Sequence, residues 1–338
     1  GIWDPASHGR KVAEDGSTPF EIPDPEDSDF GVDFTRINPG YWQQADRKMQ
    51  HLWDNGFAPF VESVRRSERW YDENPAERQA FVNYIRTLWA RYGCYNLLFS
   101  WVHWDWDLEV LDVWKAMVKM AHKELGELPY GQPRTAMAWG SSLTTWCVAP
   151  DAVPLEAFDF HNVSNRNRDY VMYSWLRAIH DHDTPKPGIN VEPYYPGWEL
   201  NRHNRAEGLN DAEMAQFQMY GSVLNGGLAG HSWGDVYYAG VATEVMPEGE
   251  PRIPAGDPHG NGLDHWCAAS MGHLRTFVLD HGHDYRTLRP ATMTHLAETD
   301  QEWRALSLST DQSLGLGFVA AHHTPTRLTN LPPDTPYT

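Results

Sequence analysis

Along most of the chain, apolar residues occur in two patterns that follow one another in turn. Short continuous apolar runs bounded by turn residues predict buried strands, here at residues 57–61, 96–102, 135–139, 157–163, 189–192 and 227–233. Apolar residues at helical spacing predict helices, here at residues 41–53, 75–93, 108–125, 169–179, 211–224 and 262–279. Strands that alternate with helices, with no hairpin between them, indicate parallel strands joined by helical crossovers.

The two ends of the chain depart from this pattern. Residues 4–40 are rich in Pro, Gly, Asp and Glu with little periodicity, which predicts a long loop. Residues 304–338 alternate apolar and other positions between turn residues, as the first strands of a β-sandwich do. We therefore expect an α/β protein with a (β/α)8 TIM barrel over residues 1–300 and the beginning of a C-terminal β-sandwich over residues 301–338. With six strands predicted, two strands of the barrel are expected to be missing at its N-terminus.

Composition excludes several classes of function. A chain of 338 residues with a net charge of −19 is a poor match for nucleic acid or an anionic membrane surface. No apolar run approaches the roughly 20 residues of a membrane span. The three cysteines lack metal-ligand spacing, and the His-Asp runs, such as the one at 180–183, do not join converging elements. We expect no metal and no cofactor, since a phosphate loop and a dinucleotide fingerprint are also missing.

Residues 187–195, Pro-Gly-Ile-Asn-Val-Glu-Pro-Tyr-Tyr, form the most informative motif. The strand delivers Glu192, and Pro193 stops the ladder because it has no N–H to donate. Glu192 is therefore predicted at the carboxyl end of a parallel strand, where ligands and chemistry collect. In a chain with 16 tryptophans, a carboxylate there suggests sugar chemistry. The alternative is a surface or helix-capping glutamate in a loop.

A glycosidase needs a second carboxyl, about 5–5.5 Å from the first in a retaining enzyme and farther in an inverting one. The strand at 96–102 leads into His103-Trp104-Asp105-Trp106-Asp107. Asp105 lies between two indoles, which would desolvate it and raise its pKa toward that of a general acid. Asp107 is the other candidate, although it could instead cap the next helix.

Aromatic and hydrogen-bonding side chains follow several of the predicted strands. Aromatic faces suit the apolar faces of sugar rings, and polar groups suit their hydroxyls. The alternatives are barrel core for the tryptophans and a structural role for His231. The predicted substrate-binding residues are Trp104, Trp106, Trp139, Ser141, His161, Tyr194, His231 and Trp233.

Four segments in order along the chain resemble the apiosidase-like glycoside hydrolases, and the resemblance covers about residues 38–320. They are Asn-Pro-Gly-Tyr-Trp from Asn38, Ala-Arg-Tyr-Gly-Cys-Tyr-Asn from Ala90, Asn-Val-Glu-Pro-Tyr-Tyr from Asn190 and Gly-His-Ser-Trp-Gly from Gly230. The resemblance implies a (β/α)8 barrel usually followed by a small C-terminal β-sandwich. It also implies that strand one and most of strand two precede Gly1.

The same resemblance implies that Glu192, at the seventh strand, is the nucleophile and that a carboxylate after the fourth strand is the acid/base. After the fourth strand many relatives have Gly-Glu-Tyr-Asp, whereas this chain has His103-Trp104-Asp105-Trp106-Asp107. The segment at residues 159–166 keeps the aspartate and phenylalanine of the family but lacks its usual Gln-Ser-Gly-His. This difference is expected to change the wall of the substrate pocket.

The function expected from these observations is a secreted or periplasmic, retaining, exo-acting glycosidase. Its substrate would be an oligosaccharide or polysaccharide, with a side-chain sugar of a plant or algal polysaccharide as the group released. Two alternatives remain open: a carbohydrate-binding barrel without catalysis, and a polysaccharide lyase with Tyr194 or a histidine as base. The sequence leaves the sugar and the oligomeric state undetermined.

Overall fold

The computed structural model divides into two compact units, residues 1–161 and residues 162–338. The residues it describes are 16–21, 33–64, 75–104, 111–148, 151–165, 169–195, 211–234, 266–296, 304–319 and 327–331. The predicted placement of Gly1 and Ile2 beside the strand near residue 60 falls outside them. Within the described part of the chain, no helix is both long and apolar enough to cross a membrane.

The first unit alternates strands and helices, as the apolar pattern predicts. Its elements are β1 (Phe20–Glu21), β2 (Asp33–Ile37), α1 (Pro39–Asp54), β3 (Phe60–Glu62), α2 (Pro75–Tyr92), β4 (Leu98–Trp104), α3 (Leu111–Leu125), β5 (Arg134–Ala138), β6 (Gly140–Ser141), α4 (Ser142–Cys147) and a short 3-10 helix (Leu155–Ala157). The strand β7 (His161–Ser164) begins at the last residue of this unit.

Local chemistry sets the ends of α1. The Asn38 side chain accepts a hydrogen bond from the Gly40 N–H, and Pro39 occupies the first helical position, where its missing N–H costs nothing. After the helix, Gly56 adopts a φ of +76°, a conformation that favours glycine and turns the chain toward β3. The predicted helix at 41–53 is therefore confirmed, with two residues added before it and one after it.

Strands β3, β4 and β5 form a parallel sheet in that order. Its core is aromatic and fully buried: Trp101 of β4 packs on Trp89 of α2 with ring centroids 5.2 Å apart, and Phe99 packs on the same indole at 5.7 Å. Residues of β4 with odd numbers thus face α2 as far as Trp101. This face supplies the apolar burial that fixes the sheet against its helices.

A β-bulge interrupts the pairing of β4 with β5. From Ser100 to His103 β4 advances three residues, while its partner advances two, from Thr135 to Met137. The hydroxyl of Ser100 fills the gap in the ladder by accepting from the Met137 N–H at 3.1 Å. One extra residue reverses the faces of all residues that follow it. His103 therefore lies on the face opposite Trp101.

The prediction of one long loop over residues 4–40 is wrong. Strands β1 and β2 pair antiparallel within it. Phe20 is 3% exposed and packs edge-on against Trp42 and Tyr84, while the Trp42 indole donates to the Pro19 carbonyl at 3.0 Å. The contacts that hold this segment come from α1 and α2, so the hydrophobic periodicity of the segment itself does not predict the two strands.

The second unit contains the elements α5 (Val171–His180), β8 (Gly188–Glu192), α6 (Asp211–Leu224), β9 (Gly230–His231), α7 (Trp266–Asp280), α8 (Gly282–Tyr285), β10 (Arg289–Pro290), α9 (Thr292–His295), β11 (Arg304–Leu308) and β12 (Gly315–Val319). The strand β8 lies between β7 and β9, and β8 and β9 are parallel. Two strands are shorter than predicted: β7 replaces the strand expected at residues 157–163, and β9 replaces the one expected at residues 227–233. Both units are thus mixed α/β with parallel strands.

Strands β10, β11 and β12 form an antiparallel sheet, so the alternating pattern after residue 304 does correspond to strands. This sheet packs on α6: Phe318 stacks on Tyr220 with centroids 5.4 Å apart, and the Ser307 hydroxyl donates to the Leu224 carbonyl at 2.9 Å. A complete β-sandwich and a domain boundary at residue 300 stay predictions, as do the barrel strands expected before Gly1.

Candidate active site

Glu192 is the last residue of β8 and is 8% exposed. The hydroxyl of Ser164, at the end of β7, donates to its Oε2 at 2.5 Å. The backbone confirms that the two strand ends are adjacent, because the Asn165 N–H donates to the Glu192 carbonyl oxygen at 2.9 Å. The motif thus folds as its sequence predicts, with a buried carboxylate at the carboxyl end of a parallel strand.

Polar anchors hold the chain on both sides of Glu192. Two residues before it, the fully buried Asn190 side chain donates to the Ser222 hydroxyl of α6 at 3.1 Å. Two residues after it, the Tyr194 N–H donates to Gln218 Oε1 at 2.6 Å, and Gln218 in turn donates to the Asp169 carbonyl at 2.8 Å. These bonds restrict how far the Glu192 carboxylate can move.

Tyr194 is 2% exposed and packs against Met214 and Phe217 of α6. This burial fixes the chain after Pro193, so a role for Tyr194 in binding substrate stays a prediction. The next residue, Tyr195, lies directly against Gly234, where a Cβ would come within 2.5 Å of the Tyr195 ring. A glycine is therefore needed at position 234 for β8 and the segment after β9 to approach so closely.

His231 pairs in register with Asn190 on the neighbouring strand. Burial lowers the pKa of His231 to about 3, because the charged form would lose its hydration. Its Nδ1 is buried and finds no hydrogen-bond partner among the described residues. The imidazole is therefore neutral at physiological pH, and its Nδ1 can still form a hydrogen bond. Trp233, two residues on, is partly exposed.

The first unit has a strand-end pair of its own. Glu62 ends β3 and His103 lies one residue before the end of β4, and Glu62 Oε1 is 2.7 Å from His103 Nδ1. Their side chains are 15% and 8% exposed. The carboxylate and the imidazole come from two neighbouring parallel strands and form a small polar cluster at their ends.

The other predicted residues of the first unit differ in exposure. Trp104 is 3% exposed and packs edge-on against Trp146 at 6.3 Å, which is typical of a core residue, so its binding role stays a prediction. Trp139, after β5, is partly exposed. Ser141 is buried before α4. The Ser142 hydroxyl and His161 Nδ1 are 3.1 Å apart.

Asp105, Trp106 and Asp107 fall outside the described residues, and their predicted roles stay predictions. Ser164, which bonds to Glu192, was not among the residues predicted from sequence, and neither were Glu62 and His103, which lie 2.7 Å apart in the first unit. The rule that found Glu192, a carboxylate closing a short apolar strand, also applies to Glu62 and could have found it. No local signal marks Ser164. Among the described residues, no three His, Cys, Asp or Glu side chains converge as a metal site would require.

A buried carboxylate at the carboxyl end of a parallel strand, in a mixed α/β fold, is the arrangement of TIM-barrel enzymes. Two solved structures share the mixed α/β fold of this chain. One is a glycoside hydrolase family 5 protein from Bacteroides vulgatus ATCC 8482, with a TM-score of 0.57 and 18% identity over 80% of this chain. The other is described as a glycoside hydrolase, with a TM-score of 0.58 and 17% identity over 80% of this chain. This chain spans 60% and 61% of their respective lengths.

The family is more specific than the fold. A family model described as "Apiosidase-like, catalytic domain" matches residues 11–283. The chain belongs to this family, which confirms the resemblance seen in the four sequence segments. No curated protein sequence matches it closely enough to refine that assignment.

Proposed function

We propose that this chain is the catalytic part of a retaining, exo-acting glycosidase, with Glu192 as nucleophile and Asp105 as acid/base. The group released would be a side-chain sugar of a plant or algal polysaccharide, and the enzyme would be secreted or periplasmic. Family membership supports the class of reaction. The observation that carries the residue assignment is the buried Glu192 carboxylate at a strand end, held by a serine hydroxyl.

The surroundings of Glu192 suit a nucleophile. The donor from Ser164 is a neutral hydroxyl, so it orients the carboxylate without cancelling its charge as a lysine or arginine would. Anchors on both sides keep the reacting oxygen in place. A carboxylate that is held in place in this way can attack a carbon that develops positive charge.

The acid/base role goes to Asp105 on the strength of its sequence position, two residues after His103 and between two tryptophans. The family resemblance supports a carboxylate after this strand. Asp107 is the alternative. In the first step Asp105 gives its proton to the departing oxygen while a Glu192 oxygen bonds to the anomeric carbon. In the second, water attacks that carbon, its proton returns to Asp105, and the bond to Glu192 breaks.

Side chains near the strand ends supply groups for sugar recognition. His231 is neutral and can donate to or accept from a hydroxyl, while the partly exposed Trp139 and Trp233 offer aromatic faces. Such groups hold a sugar ring by its apolar face and its rim of hydroxyls. They support a carbohydrate as ligand, whatever the linkage.

A panel of aryl glycosides and plant and algal oligosaccharides, with product analysis, tests the proposal. Release of single sugars whose anomeric configuration matches the substrate, read by proton NMR in the first minutes, is expected. Inverted products, or internal cleavage into long fragments, would contradict the retaining or exo-acting part. An unsaturated product absorbing in the ultraviolet would favour the lyase, and binding without turnover would favour the carbohydrate-binding barrel.

A further inference from the structure

A closed ring of hydrogen bonds surrounds the corner that Glu192 and Pro193 form at the end of β8. On the side of β7, the Asn165 N–H donates to the Glu192 carbonyl at 2.9 Å, and the Asn165 side-chain amide donates to Asp169 Oδ1 at 2.8 Å. The same Oδ1 accepts from the Val171 N–H at 3.2 Å, which fixes the Asp169 carboxylate to the first residue of α5.

The other side of the ring passes through α6. The Tyr194 N–H donates to Gln218 Oε1 at 2.6 Å, and Gln218 Nε2 donates to the Asp169 carbonyl at 2.8 Å, which closes the ring. A side-chain amide suits this position because it offers one acceptor and one donor, whereas an ionised carboxylate lacks the donor and a hydrocarbon lacks both. Gln218 is fully buried, so its two partners depend on it.

The ring holds the corner at the two places where its backbone can be held. Pro193 has no N–H, so the flanking groups are the Glu192 carbonyl and the Tyr194 N–H, and the ring binds both. Its members come from four segments of one compact unit, residues 162–338. The ring therefore depends on how β7, β8, α5 and α6 pack together within that unit.

We propose that Asp169 and Gln218 are positioning residues for the reaction, acting through the backbone of Glu192. This inference rests on the proposed function. The ring fixes the backbone on both sides of the corner, and the Ser164 hydroxyl fixes the carboxylate at the other end of the Glu192 side chain. With both ends held, the carboxylate keeps one direction, as an attack on a bound sugar requires.

A purely structural role is the competing explanation, since buried hydrogen bonds also join helices to strands. The two explanations differ in what they predict for kcat. If the ring positions Glu192, breaking it should lower kcat by more than a loss of stability explains. If the ring only joins elements, breaking it should lower the thermal midpoint and leave the kcat of the folded enzyme unchanged.

Gln218→Leu tests the α6 side of the ring, because it keeps the approximate size of the side chain and removes both hydrogen-bonding groups. kcat should fall about ten- to a hundredfold, since a displacement of about 1 Å can cost a hundredfold. KM should stay within about twofold of wild type, because the sugar contacts are not changed.

Gln218→Glu tests the requirement for a donor. It keeps an acceptor for the Tyr194 N–H but, when ionised, turns an oxygen toward the Asp169 carbonyl. Burial favours the protonated form of the introduced carboxyl, which can donate. The kcat of this variant relative to wild type should therefore rise as the pH is lowered. If Gln218→Leu does not fold, this ratio decides, and a ratio that is constant with pH would overturn the positioning role.

Asp169→Ala tests the β7 side of the ring, because it removes the acceptor of the Asn165 amide. kcat should fall about tenfold by the same reasoning, and Asp169→Asn, which keeps an oxygen acceptor, should recover most of that loss. Both sides hold the same corner, so the double variant Asp169→Ala/Gln218→Leu should lose less than the product of the single losses, by at least about threefold. Losses that multiply fully would overturn the ring as one unit.

The matched control is Tyr173→Phe. The Tyr173 hydroxyl donates to the Phe217 carbonyl at 2.7 Å, so this variant removes a buried hydrogen bond between the same two helices, one residue before Gln218. The bond lies outside the ring, and its removal should lower the thermal midpoint, measured by circular dichroism, without changing kcat. A loss of kcat in Tyr173→Phe equal to that in Gln218→Leu would overturn the positioning role.

Crystal structures of the wild-type and Gln218→Leu proteins provide a measurement without turnover. The Glu192 carboxylate should move by about 1 Å relative to the Ser164 hydroxyl, and an unmoved carboxylate would overturn the positioning role. A wild-type protein that cleaves no glycoside would overturn the proposed function, and a positioning role in the reaction would be lost with it. An active enzyme that keeps its kcat in both Gln218→Leu and Asp169→Ala would overturn the positioning role alone.

Discussion

Glu192 and Glu62 are both buried glutamates at the carboxyl ends of parallel strands, yet their partners differ. Glu192 is held by the neutral hydroxyl of Ser164. Glu62 is 2.7 Å from the imidazole of His103. A serine hydroxyl is always neutral and can donate one hydrogen bond to a carboxylate, whereas an imidazole can also become charged and then pair with the carboxylate as an ion.

The comparison teaches that position at a strand end does not by itself assign a role. In the proposed function Glu192 is the residue that reacts, and no reacting role is assigned to Glu62. The predictions below test that division and the residues around it.

The largest effect is expected for Glu192→Gln, which keeps the shape of the side chain and removes the charge that the reaction uses. Turnover should fall at least about a thousandfold, mainly in kcat. Steady-state kinetics with the best aryl glycoside measures it. The control is Glu124→Gln, at an exposed glutamate of α3, which should behave as wild type. A Glu192→Gln enzyme with more than about a tenth of wild-type kcat would remove Glu192 from the nucleophile role.

A large but substrate-dependent effect is expected for Asp105→Ala. Substrates with poor leaving groups should lose about a hundred- to ten-thousandfold, the usual contribution of a general acid, while activated aryl glycosides should lose far less. Added azide should restore turnover by attacking the glycosyl-enzyme. Asp112→Ala, at an exposed position of α3, is the control. Equal losses on all substrates, with no azide rescue, would move the role to Asp107.

A smaller effect is expected for Ser164→Ala, since the Glu192 carboxylate loses one orienting hydrogen bond. The loss in kcat/KM should be about two- to tenfold, the value of one neutral hydrogen bond. Ser174→Ala removes a hydroxyl that bonds only within its own helix turn at an exposed position, so it should leave the kinetics unchanged. A similar loss in both variants would argue against a specific role for Ser164.

The smallest effect should appear in the pH dependence of stability. Because the folded-state pKa of His231 is about 3, below the ordinary value of 6.5, only the unfolded chain binds a proton between those values. Stability should therefore fall as the pH drops from about 6.5 toward 3, and His231→Gln should flatten that slope. Urea unfolding at several pH values measures it, with His283→Gln at an exposed histidine as control. If the free energy of unfolding fell equally steeply with pH in His231→Gln, the His231 ring would not be the cause of the pH dependence.

The alternation of strands and helices could be predicted from the sequence, because the hydrophobic period, the helix caps and the turn residues are local properties. Asn38, Pro39 and Gly56 bound α1 as their chemistry predicts. The position of Glu192 was equally accessible, since a proline directly after an apolar run stops a strand wherever the run folds. The four family-specific segments indicated the family, because they too are read from neighbouring residues.

Other features depended on residues far apart in the chain. Phe20 is buried only because Trp42 and Tyr84 meet over it, so the segment before α1 looked like a loop. The partnership of Ser164 with Glu192 needs β7 and β8 side by side. The face of His103 is set by a bulge that exists only where β4 pairs with β5. The hydrophobic period of an element and the place where it ends depend on neighbouring residues in the sequence. The register of a strand and the partners of its buried polar groups depend on which strands from other parts of the chain pair with it.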